Sequence, residues 1–89
     1  MSVYVDRHRA KLGRMVMCHM IADTRNELHA MADRLGLRRE WFQDCPPHSA
    51  PHYDVSQSKR AEALRIGAID ADRYLLVEMI KRGRDEGWP

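Results

Sequence analysis

The sequence predicts an α+β domain, a small sheet of two or three short strands packed against about three helices. Three observations carry that prediction. Residues 15–22 read Met-Val-Met-Cys-His-Met-Ile-Ala, apolar on both faces apart from one histidine, the pattern of an inner strand covered on both sides. Thr24 with Glu27 three residues later makes a capping box, and Leu28, Met31, Ala32 and Leu35 then recur on one helical face before Gly36. Two later stretches, 56–66 ending at Gly67 and one opening at Asp70-Ala71-Asp72, have helical character.

Taken in order, Val3-Tyr4-Val5 is a β-branched and aromatic stretch that reads as the first strand. Residues 7–14 form a basic connection with a turn-forming glycine at 13, leading into the inner strand and then the capped helix. Residues 38–42 read as one more helical turn carrying Trp41 and Phe42 into the core. The three prolines within 44–51 exclude both helix and inner strand, so that segment is a loop. Residues 52–55 emerge from it as a short extended piece. The third helix has acids in its first turn and Lys81, Arg82 and Arg84 near its end, as the helix dipole favours. The reading gives a single domain over 1–83 and a flexible tail over 84–89.

At 89 residues the chain allows one domain. A chain of this size buries only about 60–65% of its unfolded surface, so a bound metal or a second copy would add stability that the core alone lacks. Fifteen Lys and Arg against thirteen Asp and Glu give a net charge of +2, which permits nucleic-acid binding without indicating it. No apolar run approaches the roughly 20 residues needed to span a bilayer. The residues after Met1 lack a charged-then-apolar leader, so the expected location is cytoplasmic. Cys18 and Cys45 have no zinc-ribbon spacing and read as two free thiols.

The chemistry-bearing candidates are polar residues found where a plain core would place apolar ones. Period-two alternation puts His19 on the strand face of Met15, Met17 and Ile21, where an unpaired imidazole would cost about 1–3 kcal/mol. Asp23 stands where that strand feeds the helix. His29 flanks the buried helix face and shares a side with Asp33. His52 and Asp54 project to one face of the extended piece, and Asp6 ends the first strand near the same region. His19, His29, His52 and Asp23 are therefore the candidate ligands of a divalent metal, zinc or manganese, and His19, His52 and Asp54 the candidate catalytic groups. Lys59 and Arg60 at a helix start, with Tyr53, are the candidate substrate contacts for a phosphate-containing molecule. The competing reading makes each histidine a hydrogen-bonded core residue and each charge a solvated one. No H-E-x-x-H, P-loop, G-x-S-x-G or dinucleotide fingerprint is present.

Val3-Tyr4-Val5-Asp6, His19 with Ala22-Asp23, Glu27-Leu28-His29, Leu35-Gly36, Trp41-Phe42-Gln43, His52-Tyr53-Asp54 and Gly67-Ala68 together resemble an uncharacterised family of small bacterial and phage proteins that carries only a domain-of-unknown-function label. The resemblance implies a stand-alone domain, often phage-encoded, and brings no activity with it. Two functions stand against each other. One is a His/Asp-lined, hydrolase-like pocket that binds a divalent metal and a phosphate-containing substrate, a small molecule or nucleic acid. The other is a non-enzymatic module that docks on a host protein or nucleic acid. A homodimer is compatible with both, and neither involves a membrane.

Overall fold

The computed structural model describes residues 2–44 and 50–89, apart from the side chain of Leu12. The elements run β1 (Val3–Asp6), β2 (Ala10–Leu12), β3 (Met15–Ala22), α1 (Arg25–Leu35), a 3₁₀ turn (Arg39–Trp41), β4 (Tyr53–Ser56), α2 (Gln57–Arg65), β5 (Ile69–Ala71) and α3 (Arg73–Glu86). The fold is α+β, with a mixed sheet of five strands among the described residues, larger than the two or three that the sequence suggests. The extra strands are β2 and β5, of three residues each. Segments that short carry no readable alternation, and pairing with a neighbour, not propensity, makes them strands. Residues 70–71, expected to open a helix, lie in β5, and Asp72 is the N-cap of α3 instead, accepting from Leu75 N–H at 2.9 Å.

β3 is the centre of the sheet, as its double-sided hydrophobicity requires. Met20 is flanked by Val5 and Tyr53, and Met17 by Ala10 and Ser56. β1 and β2 therefore share one side of β3, β4 takes the other, and residues 7–9 bulge out between β1 and β2. All these pairings are antiparallel, whereas β5 joins β1 in parallel. Residues 52–55 form an extended piece as expected, starting with a bridge from His52 to Gln43.

Alternation along the strands divides the two faces. Val3, Val5, Cys18, Met20, Ala22, Tyr53 and Val55 face the larger core, which α1 closes with Leu28, Met31, Ala32 and Leu35 and α2 with Ala63. Thr24 caps α1 by accepting from Glu27 N–H, and Gly36 ends it in the left-handed region at φ 74°, which only glycine enters without strain. Trp41 does not enter the core. It remains 50% exposed, and Phe42 alone packs on the core edge. On the other sheet face Tyr4 and Ile21 meet Leu75, Leu76, Met79 and Ile80 of α3, forming a smaller core. α3 covers the part of this face nearest β5. The polar residues of β3 and β4 lie on the remainder.

The segment expected as a tail is helical as far as Glu86. Trp88 then folds back against Gly83, where even a methyl group would overlap the indole, and the Pro89 carbonyl accepts from Arg25 N–H at 2.8 Å. Much of the proline loop, with Cys45, lies outside the described residues. No described helix is long and apolar enough to cross a membrane.

Candidate metal centre

β3 and β4 bring the site together through register. His19 is paired directly with Asp54, and His52 projects to the same face two residues before Asp54. Nε2 of His52 is 3.5 Å from Asp54 Oδ1, and Nε2 of His19 is 3.9 Å from the same oxygen. The two imidazole rings stand nearly perpendicular at 83°, with centroids 5.1 Å apart. One ligand atom from each of His19, His52 and Asp54 lies within 4.8 Å of the others. A metal bonded at about 2.1 Å separates its ligand atoms by roughly 3–3.5 Å, so the three need close by no more than about 1.8 Å to share an ion.

The far side of each ligand is anchored. His19 Nδ1 is 2.7 Å from the Asp6 carboxylate, and His52 Nδ1 is 2.8 Å from the Ala50 carbonyl oxygen. Both partners only accept, so both Nδ1 atoms carry a proton, and in the neutral rings both Nε2 atoms offer a lone pair. Asp54 Oδ2 accepts from the Gln43 side-chain amide at 2.9 Å, leaving Oδ1 to face the two imidazoles. Gln43 is itself held by two backbone hydrogen bonds with His52. Outer-shell anchoring of this kind fixes the tautomer and aim of a ligand before any ion arrives.

Asp6 is buried at 3% exposure, and besides the imidazole it accepts from the backbone N–H of His19 at 2.8 Å and of His8 at 3.3 Å. Burial alone would raise its pKa. The His19 ring and backbone hydrogen bonds, the imidazole's charge and the His8 N–H outweigh that and hold it below the ordinary value. The Asp6 hydrogen bond correspondingly raises His19 against the desolvation that opposes it, with the Asp6 and Asp54 charges adding. His8 stacks on the outer face of His19 at 5.2 Å.

The sequence region from residue 3 to residue 83 matches the model of the family described as "Protein of unknown function (DUF4031)". The chain belongs to that family. No curated protein and no solved structure matches it. What this DUF4031 member does must therefore be read from its own residues.

Two of the residues expected as ligands stand elsewhere. His29 lies on α1, across the sheet, where Nδ1 meets the Tyr53 hydroxyl at 2.8 Å and the ring packs on Phe42 at 4.5 Å. Asp23 is four residues beyond His19 along β3, roughly 13 Å at strand rise. It receives the Ser2 N–H at 2.8 Å, the Tyr4 hydroxyl at 3.3 Å and Arg82 at 3.0 Å, tying the chain start to α3. Of the expected substrate contacts, Tyr53 is fully buried on the helix-covered face. Arg60 donates to the Asp6 carbonyl at 2.8 Å and pairs with Asp70, so it braces β1 and β5 from behind. Lys59 lines a cleft beside Asp54 and pairs with Glu62 at 3.7 Å. Gln43 and the Ala50 carbonyl had no sequence signal, because their roles arise only from the return of the chain into β4.

Proposed function

We propose that this DUF4031 protein binds a divalent metal, zinc or manganese, through His19 Nε2, His52 Nε2 and the Asp54 carboxylate, and hydrolyses a phosphate-containing substrate there. One observation carries the reading: all three ligand atoms converge while all three opposite atoms are anchored, by Asp6, Ala50 and Gln43. A purely structural set of histidines needs hydrogen bonds but has no reason to aim its free lone pairs at one point. Two imidazoles with one carboxylate suit zinc, manganese or iron and leave coordination positions open.

A divalent ion in this position supplies Lewis acidity and lowers the pKa of water near it. The protein's part is positioning. Asp6 sets the His19 ring and raises its basicity, Gln43 turns Asp54, and the Ala50 carbonyl turns His52. His19 and Asp54 remain 36% and 40% exposed while His52 is 8% exposed, so the cluster opens to solvent on one side only. Cations border that side. Lys11 shares a cleft with His19 and Asp54, and Arg73 and Arg7, the latter paired with Asp70 at 3.0 Å, share one with Asp6, Asp72 and His19. They favour an anionic substrate and offset charge that develops as a phosphate ester is attacked.

The test is metal content by mass spectrometry on untagged protein, with melting curves with and without chelator, followed by phosphate release from p-nitrophenyl phosphate and its bis-ester. Near-stoichiometric metal, a chelator-induced fall in Tm and metal-dependent turnover support the proposal. Protein that takes up no zinc or manganese overturns it outright. Metal uptake without turnover on either ester overturns the hydrolytic part.

A further inference from the structure

We infer that the cleft between the 36–43 connection and the β3–β4 pair receives a nucleobase, so that the substrate class of the metal centre is a nucleoside phosphate. This rests on the metal centre proposed above. The cleft holds about 660 Å³, within the range of small-molecule sites, and Met15, Met17, Leu37 and Trp41 supply its apolar surface. Trp41 and Met15 are each 50% exposed, which puts two of the exposed large apolar side chains of the described residues in one cleft. The others, Ile69, Tyr74 and Val77, lie on β5 and α3, away from this chemistry.

Its position relative to the metal centre indicates what it takes. Asp54 lines this cleft and is also a proposed ligand, while Met17 lines both this cleft and the one holding His8, Lys11, His19 and Asp54. The two clefts therefore meet at the ligands, one largely apolar and one lined by Lys11, His8 and the ligands themselves. A molecule spanning them would be flat and apolar at one end and anionic at the other, with its phosphate beside His19, His52 and Asp54. An indole and two thioethers are polarisable surfaces that favour an aromatic ring, and the Gln43 side-chain carbonyl, whose amide N–H anchors Asp54, borders the same space as an acceptor for a base edge. Arg38 lies 5.8 Å over the Trp41 ring, a cation–π contact on the indole. Base-on-aromatic stacking tolerates any base, so the geometry specifies nucleotide over bare phosphate without selecting among bases.

The experiment titrates zinc-loaded and manganese-loaded protein with the four nucleoside 5′-monophosphates, with ribose 5-phosphate and with inorganic phosphate, following tryptophan fluorescence and heat. At least one nucleotide is expected to bind about tenfold or more tighter than ribose 5-phosphate and to quench the indole emission. Trp41→Ala removes that advantage and leaves metal content and inorganic phosphate binding unchanged, while Trp41→Phe restores much of it. Met15→Ser, on the opposite wall, weakens nucleotide binding in the same selective way should Trp41→Ala fold poorly. Metal-loaded protein that binds all three probe types equally, or Trp41 and Met15 variants that bind nucleotide as the parent does, overturns the inference and leaves the metal centre standing. Protein that takes up no metal overturns the metal centre, and this inference with it.

Discussion

Asp6 Oδ2 lies 2.7 Å from His19 Nδ1, and this one contact decides which nitrogen of His19 faces the open side of the sheet. The two residues are brought together across the β1–β3 pair, near the point where β1 leaves the ladder and the 7–9 bulge begins. The bulge lets the backbone N–H of His8 reach the same carboxylate and lets its ring stack on His19. A buried carboxylate, an oriented imidazole and a half-exposed second carboxylate thus run in line from the core edge to the solvent.

Removing a ligand separates metal binding from folding. His52→Ala and Asp54→Asn are expected to lower zinc affinity by at least about 100-fold, because each removes a bond that the others cannot replace. His29→Ala leaves affinity unchanged. Isothermal titration on the three variants reads this directly, and loss of zinc in the His29 variant would contradict the assignment.

Asp6→Asn is expected to weaken metal binding by about 10–100-fold, since the anchored imidazole loses its charged partner. The metal-free variant also loses about 1–3 kcal/mol of stability, because the buried site receives three donors that a neutral amide satisfies less well. Urea denaturation in the presence of chelator isolates the second effect from the first.

The Asp6–His19 pair gives the metal-free protein a bounded pH window. Asp6 is depressed in the fold, so its contribution is present above the ordinary carboxylate value of 3.8 and is lost as pH falls through the lower folded value. His19 is raised, so its contribution is complete below the ordinary 6.5 and is lost as pH rises through the higher folded value. Unfolding free energy of the chelated protein should therefore be greatest between about pH 4 and 6.5 as far as this pair is concerned, and the His19→Gln variant should lack the alkaline decline.

Cys18 is almost fully buried on the helix-covered face, and burial, with the Asp6 charge adding, pushes its thiol up to about 11. In a Cys45→Ser background it should resist alkylation by iodoacetamide at pH 8 for as long as the protein stays folded, and react within the dead time once urea unfolds it. Rapid labelling of the native state would show that the larger core opens near β3.

Tyr53→Phe is expected to cost about 1 kcal/mol by leaving His29 without its hydroxyl partner, while zinc affinity stays that of the parent. A thermal melt and a zinc titration on the same preparation check both halves.

Much of this architecture was legible along the chain. The double-sided run at 15–22 could only be an inner strand, and the Thr24–Glu27 cap with its apolar stripe could only be a helix, because each pattern reports burial at a fixed spacing. The alternation of His52 with Asp54, and of His19 with Met17 and Ile21, also placed those polar groups on strand faces correctly. β2 and β5 escaped because three-residue strands exist by pairing and not by pattern. Trp41 looked like core because an indole is large and apolar, yet a single 3₁₀ turn at the end of α1 leaves it at the rim.

The sequence by itself determined which residues are polar within an apolar frame, and hence which side chains needed an explanation. Only the tertiary structure decided which of them share a side. His29 and His52 look equivalent as isolated histidines, but the β3–β4 register sends His52 to the face of His19, while α1 holds His29 on the other. Face is a local property, set by strand and helix periodicity. Partnership depends on which strands lie next to one another and in what register, and this depends on packing between segments distant in the chain.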